Sequence, residues 1–169
     1  MNDAHLHLVV NHFPIIGTIF GLGILIAGLV LKNNSVKNTA YIVLIVAAIF
    51  AFLSMYTGDG AEEMVEDMPN IGKQIIHEHE ELAEKLALLL YATGIFSLAS
   101  LYTSIKNHKF SKFTSYITLV LALGAAVLGS SVGTSGGEIR HTEIRDNTLN
   151  SAVENGNFQS ESTTDKNEE

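Results

Sequence analysis

The sequence predicts an all-α fold, an integral membrane four-helix bundle with both termini on the outer, periplasmic side. Three observations predict it. Four apolar stretches, 13–31, 40–57, 86–105 and 113–133, contain no Asp, Glu, Lys or Arg. At 1.5 Å rise per residue, each is long enough to cross about 30 Å of hydrocarbon. The chain is 47% hydrophobic with a mean hydropathy of +0.25, too apolar for an ordinary water-soluble domain. Finally, two short connections carry Lys32, Lys37, Lys106, Lys109 and Lys112 and no acid, while all 18 Asp and Glu lie on the other side. By the positive-inside rule the lysine loops are cytoplasmic.

The first span follows a segment, 1–11, that holds Asp3 and no Lys or Arg. A secretory signal needs a positively charged start, so the stretch reads as a retained helix. Asn2 or Asp3 caps a helix through His5, His7 and His12 that enters the bilayer at Phe13. Pro14 either kinks this entry or marks the first turn of a separate helix. Gly17 and Gly21 form a small-xxx-small pair, with Gly23 and Gly28 as further thin positions. Close helix packing is the common use of that pattern; room for a flat macrocycle is the other.

Gly58-Asp59-Gly60 has turn chemistry and is expected to end the second span. Ala61 to Met68 then reads as a short amphipathic helix, stopped by Pro69-Asn70. The third helix starts near Ile71 and enters the membrane at about residue 82, with Glu84 and Lys85 at the interface. Glycines from Gly133 to Gly137 are expected to let the backbone leave the fourth helix sharply. Residues 1–145 thus form one transmembrane domain, and the polar, acidic stretch 146–169 is expected to be a disordered tail. The loops of fewer than ten residues force antiparallel neighbours.

Chemistry concentrates on the outer face. Six of the seven histidines fall there, His5, His7, His12, His77, His79 and His141, and only His108 lies opposite. Imidazole is suited to ligating haem iron or a transition metal near neutral pH. The absence of cysteine removes disulfides, thiolate metal sites and covalently attached haem. His77 and His79 are two apart, about 200° around a helix, so they cannot both face the bundle. His79 continues into an apolar stripe and is the better ligand; His77 continues into Glu81 and Glu84, a solvated face. The expected site is His7, His12, His79 and His141, with His12 and His79 as the axial pair. Asn11, Glu80 and Glu81 support it as hydrogen-bond partners, and Arg140 meets a haem propionate.

The stretches Leu6-His7-Leu8, Asn11-His12-Phe13-Pro14, Thr57-Gly58, His79-Glu80-Glu81 and Gly136-Gly137-Glu138-Ile139-Arg140-His141 resemble a family of bacterial four-helix membrane proteins of unknown function. That family is marked by a His-Phe-Pro entry and a Gly-Gly exit. The resemblance covers about residues 1–145. It implies a redox setting, since related sequences occur beside or fused to c-type cytochrome domains. Its motif positions fall on His7, Asn11, His12, Pro14, His79, Glu80 and His141. Many relatives end in Val-Tyr-Arg-His where this chain has Ile139-Arg140-His141.

The expected function is therefore a bacterial inner-membrane protein binding haem b near the outer face. It would exchange electrons with a periplasmic cytochrome or a membrane quinone, as an electron-transfer or binding protein rather than an enzyme. Two alternatives use the same residues: handling or sensing of copper, zinc or iron, and a non-catalytic scaffold subunit whose histidines are interface contacts. Homo- and hetero-oligomers are both open. The net charge of -8 argues against nucleic acid as a partner. No ionisable residue lies in the central membrane layer, which disfavours a transport pathway.

Overall fold

A computed structural model of the chain describes residues 2–66, 68 and 71–145. The expected tail, 146–169, and the Pro69-Asn70 stop lie outside the described residues. Among the described residues the regular structure is entirely helical. In chain order it comprises α1 (Asp3–Val10), α2 (His12–Val30), α3 (Asn34–Val65), α4 (Lys73–Ile105) and α5 (Ser111–Arg140), then a single 3-10 turn, Thr142–Ile144. Four units are long and apolar enough to cross a membrane: Asp3–Val30, Asn34–Val65, Lys73–Ile105 and Ser111–Arg140.

Short connections make successive helices antiparallel. α2 packs on α3, α3 on α4, α4 on α5, and α5 returns to α2, so the four long helices close into a ring. The lysine loops gather at one end and the six histidines at the other. The core is built in three tiers. Leu25, Tyr41, Leu44 and Ala122 fill the lysine half. Ala51, Leu86, Leu90, Ala125 and Val132 fill the middle and histidine side. Ile71, Ile75 and Ile76, with Val65 and Ile139, form a small third tier beyond the apolar stretches. Large apolar side chains such as Phe20, Val30, Phe52, Leu88 and Val127 remain exposed around the ring. In water such a surface is an association liability; against hydrocarbon it is the expected face.

α1 and α2 are divided at Asn11, which keeps helical backbone angles and donates its N–H to His7 O at 2.9 Å, so the two follow one another as one nearly continuous unit. Asn2 caps α1, its Oδ1 accepting from the His5 N–H at 2.9 Å. Pro14 sits in the first turn of α2, where its missing N–H costs nothing. Two other expectations are corrected. Gly58-Asp59-Gly60 does not end a helix: α3 continues unbroken to Val65, and no separate helix forms at Ala61. Likewise, α5 runs through its glycines to Arg140 and does not leave at Gly133. No described glycine has a positive φ, so these residues are used for closeness, not for turning. A Cβ on Gly60 would lie 2.9 Å from the Asp3 side chain, and Gly58 faces the His7 ring, so α1 rests on α3 where the glycines thin it.

The glycines of α2 serve the same end. A Cβ on Gly17 would stand 3.1 Å from Ala47 Cβ, on Gly21 2.7 Å from Leu44 Cδ2, and on Gly28 2.8 Å from the Lys37 backbone nitrogen. Close packing against α3 uses these positions, leaving no room there for a macrocycle. Gly23 alone of the four faces open space.

The lysine half also carries a hydroxyl seam that reading the sequence did not single out. Thr93, Ser97, Ser100 and Ser104 recur on one face of α4 at intervals of four, three and four, and all are buried. Ser100 bonds Thr118 at 3.0 Å, Thr103 bonds Thr114 at 3.0 Å, and Tyr41 bonds Ser115 at 2.6 Å. These tie α4 and α3 to α5. Small hydroxyl residues let backbones approach and supply hydrogen bonds where burial of apolar surface gives little.

Candidate histidine site

α1 and the histidine-side ends of α3, α4 and α5 form a polar cap beyond the apolar stretches. Three of its histidines hold Nδ1 against an oxygen. His7 Nδ1 lies 3.1 Å from Ser54 O and 3.1 Å from Thr57 Oγ1 on α3. A carbonyl can only accept, so the neutral ring carries its proton on Nδ1 and leaves a lone pair on Nε2. His79 Nδ1 lies 2.9 Å from Ser135 Oγ on α5. That hydroxyl can place its own proton on Val132 O at 3.1 Å, and in that arrangement His79 donates from Nδ1 and keeps a bare Nε2. His12 Nδ1 donates to Leu8 O at 3.0 Å. A ring N–H held by an oxygen is how ligating imidazoles are fixed in tautomer and orientation.

Only two of the three face inward. His7 is half-buried over Thr57 and Gly58, and His79 packs so tightly on Gly136 that a Cβ there would lie 3.0 Å from its Cε1. His12 is exposed and tied to its own helix. Of the expected pair, His79 turns inward and His12 does not; His7 is the other inward ring. Burial holds both inward rings below the usual imidazole range; charge on His12 adds to this for His7, against the raising effect of Ser54, and charge on His7 adds to it for His79. Both are neutral at pH 7, as a metal ligand must be.

The other expected residues stand elsewhere. His141 is exposed, with Nδ1 2.9 Å from Glu143 Oε1. Arg140 donates to Met68 Sδ at 2.7 Å. His77 is on the solvated face, 3.4 Å from Glu81 and 3.8 Å from Glu80. Glu81 also takes Lys85 at 3.1 Å and supports no inward histidine. Asn11, at the junction of α1 and α2, has a buried Oδ1 with no partner. His5 is exposed. Among the described residues no three His, Asp or Glu side chains gather as a metal-ion site. Ser54, Thr57 and Ser135, the residues that fix the two rings, were not singled out from the sequence as their partners. A hydroxyl in a helix carries no pattern that marks it as a histidine's acceptor.

Glu80 shares a hydrogen bond with Glu62 across α3 and α4. That bond, with burial and the charges of Glu62 and Asp59, outweighs His77 and pushes its carboxyl up to about 7. The signs of the pH effects follow. The histidines are held below their unfolded value near 6.5, so their contribution is full above that value and is lost as pH falls below it. Glu80 is raised above its unfolded 4.5, so its contribution is present in acid and lost as pH rises through about 7. Once the intrinsic base catalysis of exchange is divided out, the histidine part of the cap's protection should fall below pH 6.5 and the Glu80 part should fall as pH rises from 4.5 to about 7, and Glu80→Gln should remove only this second, alkaline-going limb. An unchanged alkaline limb would contradict the shared proton.

No family model, curated protein or solved structure matches the chain.

Proposed function

We propose that this is a multi-pass protein of a bacterial inner membrane, with its histidine end and both termini on the periplasmic side. In this reading it binds one b-type haem between His7 and His79 and takes part in electron transfer. The observation that carries the proposal is the pair of inward, neutral rings from different helices, each with Nδ1–H engaged and Nε2 bare. Haem brings four nitrogen ligands of its own and asks the protein for two imidazoles. A bare copper, zinc or iron ion asks for three or four protein ligands. The ligand set therefore favours haem over an ion.

Space must be made for the ring. The α2 glycines are filled by α3, so the macrocycle would lie under α1, which joins α2 only through Asn11 and rests mainly on α3. When bound, the group supplies one-electron redox chemistry; the chain supplies the ligands and their orientation. A single haem near one face does not span about 30 Å of hydrocarbon. A periplasmic cytochrome or a membrane quinone is the partner this geometry suits.

A second reading has its own support. His7 and His79 each bond another helix, as interface residues of a scaffold subunit would. Titration of purified full-length protein with haem separates the two. Saturation at one equivalent, with the absorbance of a six-coordinate low-spin iron, supports haem binding. Failure to saturate in folded protein favours the scaffold. Topology is checked on intact cells with cysteines placed in turn at Lys109 and in 146–169, since the native chain has none. Labelling from opposite sides is expected; labelling of both from one side contradicts the orientation.

A further inference from the structure

At the end opposite the histidines, a shallow groove opens between the outer faces of α4 and α5. Tyr102, Thr103, His108, Phe110, Phe113 and Thr114 line it. Its walls are almost wholly apolar, and Tyr102, Phe110 and Phe113 are more than half exposed. Its rim is cationic. Lys109 lies with Nζ 5.2 Å from the centre of the Phe110 ring, and Lys106 and Lys112 flank it in sequence. No acidic residue occurs between Glu84 and Glu138 to neutralise them. His108 does not close the rim; its Nδ1 accepts the Phe110 N–H at 3.4 Å. The start of α5 adds to the positive character. Its N-cap, Phe110, offers no side-chain acceptor, whereas Asn33 at the start of α3 accepts from Ser35 and Val36.

Apolar walls beneath a cationic rim fit a molecule with a hydrocarbon body and an anionic head. We propose that this groove binds one anionic phospholipid of the adjoining leaflet, its phosphate at Lys109 and Lys112 and an acyl chain between Tyr102 and Phe113. The choice of occupant rests on charge complementarity. A zwitterionic lipid would leave the cations without a net partner, and a soluble anion would leave the aromatic walls uncovered. The proposal rests on membrane insertion but not on haem.

The test uses the full chain in nanodiscs of phosphatidylcholine with or without one-fifth phosphatidylglycerol, followed by native mass spectrometry of the released protein. One retained phosphatidylglycerol per chain is expected. Lys109→Gln with Lys112→Gln removes both charge-assisted contacts proposed to hold the phosphate, so retention should fall about tenfold or more. Lys32→Gln with Lys37→Gln, at the same end but away from the groove, should change it less than about twofold. Phe113→Ala should weaken retention with the charges intact. Equal retention of both lipids, or equal loss from the two lysine pairs, would overturn the site and leave only diffuse surface charge. Alkaline extraction of membranes is run on every variant. Protein that leaves the membrane there refutes insertion itself, a failure distinct from a membrane-held protein with no lipid preference.

Discussion

Replacing either His7 or His79 by alanine is expected to abolish haem binding, whereas His12→Ala and His141→Ala leave it within a few-fold of the native chain. The distinction follows from where the rings point. His7 and His79 face inward with their Nδ1–H groups held by Ser54 and by Ser135. His12 is tied back to Leu8, and His141 to Glu143 at the surface. Ser135→Ala gives an intermediate result, because it frees the His79 ring to choose its tautomer without removing the ligand. Loss of such an outer partner typically costs about 10–100-fold in metal affinity. Gly136→Ala should behave similarly, since a Cβ would press within 3.0 Å of His79 Cε1 and push the ring off its bearing. Affinity from optical titration checks each variant. Equal loss in His12→Ala would restore His12 as a ligand and contradict the pairing.

Gly28→Ala is expected to be the most damaging single-methyl change in the bundle, and Gly23→Ala the mildest, although the two residues are five apart on one helix. The new Cβ at position 28 would meet the Lys37 backbone nitrogen at 2.8 Å and Cα at 3.2 Å. Backbone does not yield as a side-chain tip does, so α2 and α3 must part at the turn that joins them. Overpacking of this kind costs about 1–3 kcal/mol. At position 23 nothing lies within 4 Å, and alanine also removes the backbone entropy cost of glycine. Thermal unfolding in one detergent should therefore drop for the first and hold or rise for the second. Equal shifts would mean that α2 and α3 are not packed as described.

Helix content and helix number were legible because four long apolar runs leave few alternatives. The lysine loops likewise ended two helix pairs where the structure ends them. The glycines misled. Gly58-Asp59-Gly60 and the run from Gly133 have the composition of turns, yet both lie inside helices, because α1 and the His79 ring need a surface without Cβ atoms. Local composition cannot separate a glycine that turns the chain from one that admits a neighbour; only the neighbour decides. The face of His79 was readable from its 3.6-residue period, and the structure puts that ring on Ser135 while His77 stays in solvent. The choice between His7 and His12 turned on rotation alone: the two are five apart, about 140° around a helix, so only one can face α3. His12 stays on the exposed side with His5, and Gly58 receives the His7 ring; the sequence does not say which side meets α3. Glu80 was expected to hold a histidine N–H and instead bonds Glu62, a pairing across two helices that no spacing announces. The hydroxyl face of α4 was present in the spacing of Thr93, Ser97, Ser100 and Ser104 and was obscured by the larger apolar residues between them.

The most direct test of the proposed haem is a reduced-minus-oxidised visible spectrum of the full-length protein, purified from cells supplied with haem precursor, with total metal measured on the same sample. The expected result is a b-type spectrum with one iron per chain and no stoichiometric copper or zinc, lost in His7→Ala and in His79→Ala. A colourless, folded preparation would contradict it, as would stoichiometric zinc or copper held without haem absorbance.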